Sequence, residues 1–90
     1  MTNSSVAADV TAEIRSYVVD RFLFGQGADG LSNADSFLER SLVDSTGILE
    51  LVAFLEGRYG IKVLDDELVP ENLDSIDRAA AFVARKQARS

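Results

Sequence analysis

Leu42-Val43-Asp44-Ser45-Thr46-Gly47-Ile48-Leu49-Glu50-Leu51-Val52 is the stretch on which the reading of this chain turns. Ile48, Leu51, Val52 and Leu55 recur at helical spacing on one face, with Leu49 beside them, which predicts a helix from Ser45 to about Arg58. Gly60, after Tyr59, is its natural stop, because glycine takes the left-handed conformation that ends helices. Ser45 therefore sits at a helix N-terminus, directly after Asp44. There, free backbone N–H groups and the positive end of the helix dipole favour a phosphate. The plainer reading of Ser45 is an ordinary N-cap, which stabilises a helix by about 1 kcal/mol.

Outward from that stretch, Val6, Val10, Ile14, Val18 and Phe22 repeat every four residues, with Tyr17 widening the stripe. They predict a first helix from about Val6 to Phe24, with Ser5 as N-cap and Gly25 as terminator. Residues 25–44 read as a long loop, flexible at Gly25-Gln26-Gly27-Ala28-Asp29-Gly30 and anchored by Phe37 and Leu38. Beyond Gly60, the β-branched Ile61-Lys62-Val63 reads as an extended link. Asp65-Asp66-Glu67-Leu68-Val69 allows one or two helical turns, cut off by Pro70. A last helix is expected from Asp74 or Ser75 to about Gln87, with Ile76, Ala79, Ala80 and Val83 inward. The pattern is all-α: a small, mostly antiparallel helical bundle with an ordered core over about residues 6–87 and one domain over 1–90.

Composition narrows the function. Ninety residues with 47% apolar content can bury one small core. No run of about eighteen apolar residues spans a membrane, and Met1-Thr2-Asn3-Ser4-Ser5 lacks the basic start of a secretory signal. Without cysteine there is no disulfide framework, and the cytoplasm is the expected compartment. The net charge is −6, and residues 44–71 concentrate it, with seven acids against Arg58 and Lys62. Such a surface repels nucleic acid and anionic lipid and steers toward basic protein surfaces.

With neither His nor Cys, the Ser-His-Asp and Cys-His nucleophile arrangements cannot be built, and a zinc site is not expected. Gly25, Gly27 and Gly30 follow no strand and lack the Gly-Lys-Ser/Thr ending of a phosphate loop. A calcium loop from Asp29 would need Gly and Glu where Ala34 and Arg40 stand. The residues predict no catalytic site and no metal. Thiol or acyl chemistry would need a reactive group attached from outside, and Ser45 is the obvious post.

Ser36-Phe37-Leu38-Glu39, Asp44-Ser45, Leu49-Glu50-Leu51-Val52, Leu55-Glu56 and Tyr59-Gly60-Ile61 together resemble the acyl carrier protein family. The similarity covers residues 35–84 well and the first helix loosely. It implies a four-helix bundle of three long helices and one short one, usually a monomer. It also implies a carrier esterified at Ser45, beside Asp44, by 4′-phosphopantetheine from coenzyme A. A separate phosphopantetheinyl transferase does this, and the arm's thiol then carries cargo as a thioester. The positions that the resemblance offers to partner enzymes are Thr46, Glu50, Ala53, Glu56, Asp65, Asp66 and Glu67. The partners would be the transferase, an acyl- or aminoacyl-activating ligase, and downstream acyltransferases or synthases.

Thr46 stands where the family usually has Leu or Ile, and Gly47 where an acid is frequent. The Asp-Ser-Thr-Gly run looks like stand-alone carriers served by dedicated ligases. Two cargo classes stay open, an acyl chain or an amino acid loaded by an adenylating ligase. So does an unmodified acidic interaction module.

Overall fold

The computed structural model describes residues 5–25, 27–41 and 43–89. It contains four α-helices, α1 (Ser5–Phe22), α2 (Ser45–Tyr59), α3 (Pro70–Leu73) and α4 (Ile76–Arg89), with 3-10 turns at Ala28–Gly30 and Asp65–Glu67. No strand occurs among the described residues. This is the small all-α bundle of three long helices and one short one that the sequence implies.

The helices form because each buries one stripe. Val10, Ile14 and Val18 of α1 are buried, as the four-residue repeat predicts, and Phe22 packs on the edge of the core. Leu51 and Leu55 of α2 are fully buried, with Ile48 and Val52 partly so. From α4 come Ile76, Ala79, Phe82 and Val83, and α4 touches each of the other three helices. Phe82 escapes the sequence reading because alanines surround it and the stripe is complete without it. Burying side chains of this size contributes about 1.5–3 kcal/mol each, which is how so short a chain holds together.

Several boundaries differ from expectation. α1 ends at Phe22, and the reversal takes two left-handed residues, Phe24 at φ 56° and Gly25 at φ 78°. The Gly25 N–H reaches back to the Val19 carbonyl at 2.9 Å. The side chains of Val6 and of Ser5, the expected cap, lie outside the described residues. Pro70 opens α3 at its first position, where its missing N–H costs nothing, so it begins a helix where the sequence suggested a stop. Ser75 caps α4: its Oγ accepts the Arg78 N–H at 3.0 Å. Gly60 ends α2 as expected, at φ 67°.

Of the two loop anchors, Phe37 is 1% exposed and Leu38 is 59% exposed, so only Phe37 enters the core. Leu31 and Val43 supply the other anchors. Polar groups fasten the loop as well. The Phe37 N–H donates to the Asp74 carbonyl at 2.7 Å, and the Asp77 N–H to the Asn33 carbonyl at 3.0 Å. Arg15 of α1 donates to Asn33 Oδ1 at 2.8 Å. Asp74 accepts from the Leu38 N–H at 3.0 Å and from Ser36 Oγ. The connection is long, but it is held against α1 and the start of α4.

Candidate functional site

α2 begins where the sequence places it, yet its cap is Asp44. That residue is extended, at φ −94° and ψ −172°, and its Oδ1 accepts the Gly47 N–H at 2.8 Å while its carbonyl accepts the Ile48 N–H at 2.9 Å. Ser45 is the first helical residue, so the plain reading of it as the N-cap is corrected. Its side chain is exposed, and its hydroxyl has no hydrogen-bond partner among the described residues. The N–H groups of Ser45 and Thr46 are likewise unclaimed there. Helix geometry leaves the first N–H groups without internal partners, and the caps take only those of Gly47 and Ile48. The outcome is an unoccupied hydroxyl beside two unpaired donors at the positive end of a fifteen-residue helix.

Gly47 explains how this turn is seated. A Cβ on it would come within 2.8 Å of Val43 Cγ1 and 2.9 Å of Phe22 Cε1. The backbone of α2's first turn therefore lies against the end of α1, and no side chain, acidic or otherwise, fits at 47. The glycine at this position follows from packing.

Beside Ser45 lies a groove of about 520 Å³. Val43, Ile48, Leu49, Leu68, Val69 and Leu73 give it apolar walls; Leu38, Pro70 and Asp74 complete the lining with Asp44 and Ser45. The sequence reading missed this groove. Its one signal was Leu38, Leu49 and Leu68, large apolar residues that fall off every helical stripe. A larger hollow, about 600 Å³, lies between α1 and α2 over the stacked rings of Tyr17 and Phe54. It is shallow and excludes Ser45, so the smaller groove is the one that adjoins the Ser45 hydroxyl.

The seven positions offered to partners divide. Thr46, Ala53, Asp65 and Asp66 are exposed. Glu50 lies 2.6 Å from Arg21 Nη2 across α1 and α2, an ion pair whose Oε1 has no aligned hydrogen bond. Glu56 accepts the Val63 N–H at 2.8 Å and so pins the extended link to α2. Glu67 accepts the Leu64 N–H at 2.9 Å and pairs with Lys86 of α4 at 2.9 Å. These three acids thus have structural work of their own.

A second polar cluster joins α1 to α2 away from Ser45. Glu13 accepts from Tyr59 Oη at 2.7 Å and from Arg58 at 2.5 Å. The Tyr59 hydrogen bond, then Arg58, holds the Glu13 carboxyl below its ordinary range. Burial, with the Glu13 bond second, pushes the Tyr59 phenol well above its usual value. Tyr17 is also raised, by burial first and the Glu50 charge second. Among the described residues no group of acids is arranged to hold a metal ion.

The fold and the site together define a class: a small helical bundle that presents one serine at the head of its second helix. No protein-family profile matches the chain. The chain is 29% identical over 77 residues to PigG of Serratia sp., described as a probable acyl carrier protein; the match covers 86% of this chain and 87% of that one. This relative supports the acyl carrier protein family for the chain, and with it a carrier role in place of a catalytic one.

Proposed function

We propose that this protein is a stand-alone carrier that becomes active when 4′-phosphopantetheine is joined through its phosphate to Ser45. One observation carries the reading: Asp44 does the capping, so the exposed Ser45 hydroxyl is left without an internal task. A phosphate on that oxygen would meet the unpaired N–H groups of residues 45 and 46 and the helix dipole, an interaction worth about 0.3–1 kcal/mol. The group fits the residues present: a nucleophilic hydroxyl open to a transferase, with an apolar groove alongside. When bound, it supplies the thiol that the sequence lacks, on which acyl or aminoacyl cargo rides as a thioester.

This chain's residues do three things in that scheme. Asp44 fixes the turn; the Ser45 oxygen, giving its proton to a base on the transferase, bonds to the pantetheine-side phosphorus of coenzyme A as the pyrophosphate bond breaks and adenosine 3′,5′-bisphosphate leaves; and the groove offers apolar surface next to the anchor. Tethering raises the effective concentration of cargo at each enzyme visited. Exposed acids such as Asp65 and Asp66 give weak, salt-sensitive docking to basic partners, namely the transferase, an activating ligase and later acyltransferases or synthases. The setting proposed is the cytoplasm; no helix among the described residues is long and apolar enough to cross a membrane.

Co-expression with a broad-range phosphopantetheinyl transferase, followed by intact-mass measurement, tests this. The wild type is expected to gain one phosphopantetheine mass and Ser45→Ala none. A wild type of unchanged mass would overturn the proposal.

A further inference from the structure

The side chain of Phe24 takes no part in the core, yet the chain maintains it at a cost. Its side chain is 80% exposed, the highest exposure of any large apolar residue described. Its backbone sits at φ 56°, a conformation that bulky residues rarely adopt and that glycine would take freely. Nothing in the core gains from that arrangement. Phe24 instead lines a hollow of about 330 Å³ with the ion-paired Arg21 and Glu50 and with Asp44, Thr46 and Gly47, the same turn that presents Ser45. Leu38 and Leu49, each 59% exposed, line the groove on Ser45's other flank.

The charges around this end have one sign left over. Arg21 is paired with Glu50, and Arg40 with Asp35 at 3.2 Å. Of the charged residues that line this hollow, Arg21 and Glu50 pair with each other, and Asp44 has no ion-pair partner among the described residues. An exposed aromatic residue beside the unpaired carboxylate of Asp44 matches a protein surface that offers an apolar socket rimmed by Lys or Arg. Buried aromatic anchors within polar rims dominate binding energy at such contacts.

We infer that Phe24 is a docking residue for the transferase that modifies Ser45, inserting into a basic-rimmed apolar socket on that enzyme. The inference rests on the carrier reading, and the test separates the two. Purified apo-protein is modified by a broad-range phosphopantetheinyl transferase with coenzyme A, and KM and kcat for the protein substrate are measured. Phe24→Gly suits the backbone, so its thermal midpoint should match or exceed the wild type's. Its KM is expected to rise at least about tenfold at similar kcat, the loss that an aromatic anchor carries. Phe24→Leu should recover most of the affinity. Leu64→Ser, which removes an exposed apolar residue lining neither hollow, should behave as wild type. A KM for Phe24→Gly within twofold of wild type, or an equal rise for Leu64→Ser, overturns the docking role. A wild type that is not modified at all defeats the carrier reading itself.

Discussion

Replacing Asp44 by alanine removes the acceptor of the Gly47 N–H, and the loss expected of an N-cap is about 0.5–2 kcal/mol. In a domain of this size that lowers the melting temperature by about 4–8 °C per kcal/mol. Ser45→Ala removes no hydrogen bond among the described residues and is expected to stay within about 0.5 kcal/mol of wild type. Thermal melts of both variants would check the division of roles, one residue for stability and its neighbour for chemistry. The sequence made both residues visible but could not assign the cap, because Asp and Ser cap equally well and which one does so depends on where helical dihedrals begin. Gly47 was legible as an oddity only. Its reason, the approach of Val43 and Phe22, exists only once α1 and α2 are packed.

Between elements, the α1–α2 pairing adds a pH dependence. Glu13 is held below its ordinary 4.5 by Tyr59 and then Arg58, so the stability it contributes is complete above that value. It is lost as the pH falls through the lower value of the folded state. Denaturant midpoints measured from neutral to acid pH should therefore show wild type above Glu13→Gln at neutrality, with the gap closing below pH 4.5. Long helices were readable from their 3.6-residue period, since Ile14, Val18, Leu51, Leu55, Ile76 and Val83 all land inside. Short elements were not. Pro70 can end one helix or open another, and only the packing of Leu73 under α4 chooses between them. The groove stayed hidden for a related reason: its walls come from the loop, α2 and α3, and no local period links Leu38 to Leu68.

At the level of the whole molecule, both tyrosines are raised above their ordinary 10.0, so folding favours their neutral form. Stability is thus retained up to pH 10 and declines above it, as the unfolded chain begins to lose phenolic protons first. An ultraviolet phenolate titration of the folded protein should show less than half-ionisation at pH 10, and the same titration in denaturant should reach it. The excess of acid charge and its concentration in residues 44–71 were plain from the sequence, but which acids the fold itself engages was not. Glu50 and Glu67 are paired with Arg21 and Lys86, and Glu56 is tied to the Val63 N–H, so the acids left without such partners among those offered to enzymes are Asp65 and Asp66. The carboxylate of Asp74 has a reach beyond its own corner. By gripping Ser36 and Leu38, it sets one lip of the groove from the threshold of α4, thirty-six residues further along the chain from Leu38. The last helix and the rim beside the serine therefore share one fastening, and a change at residue 74 would be felt by both.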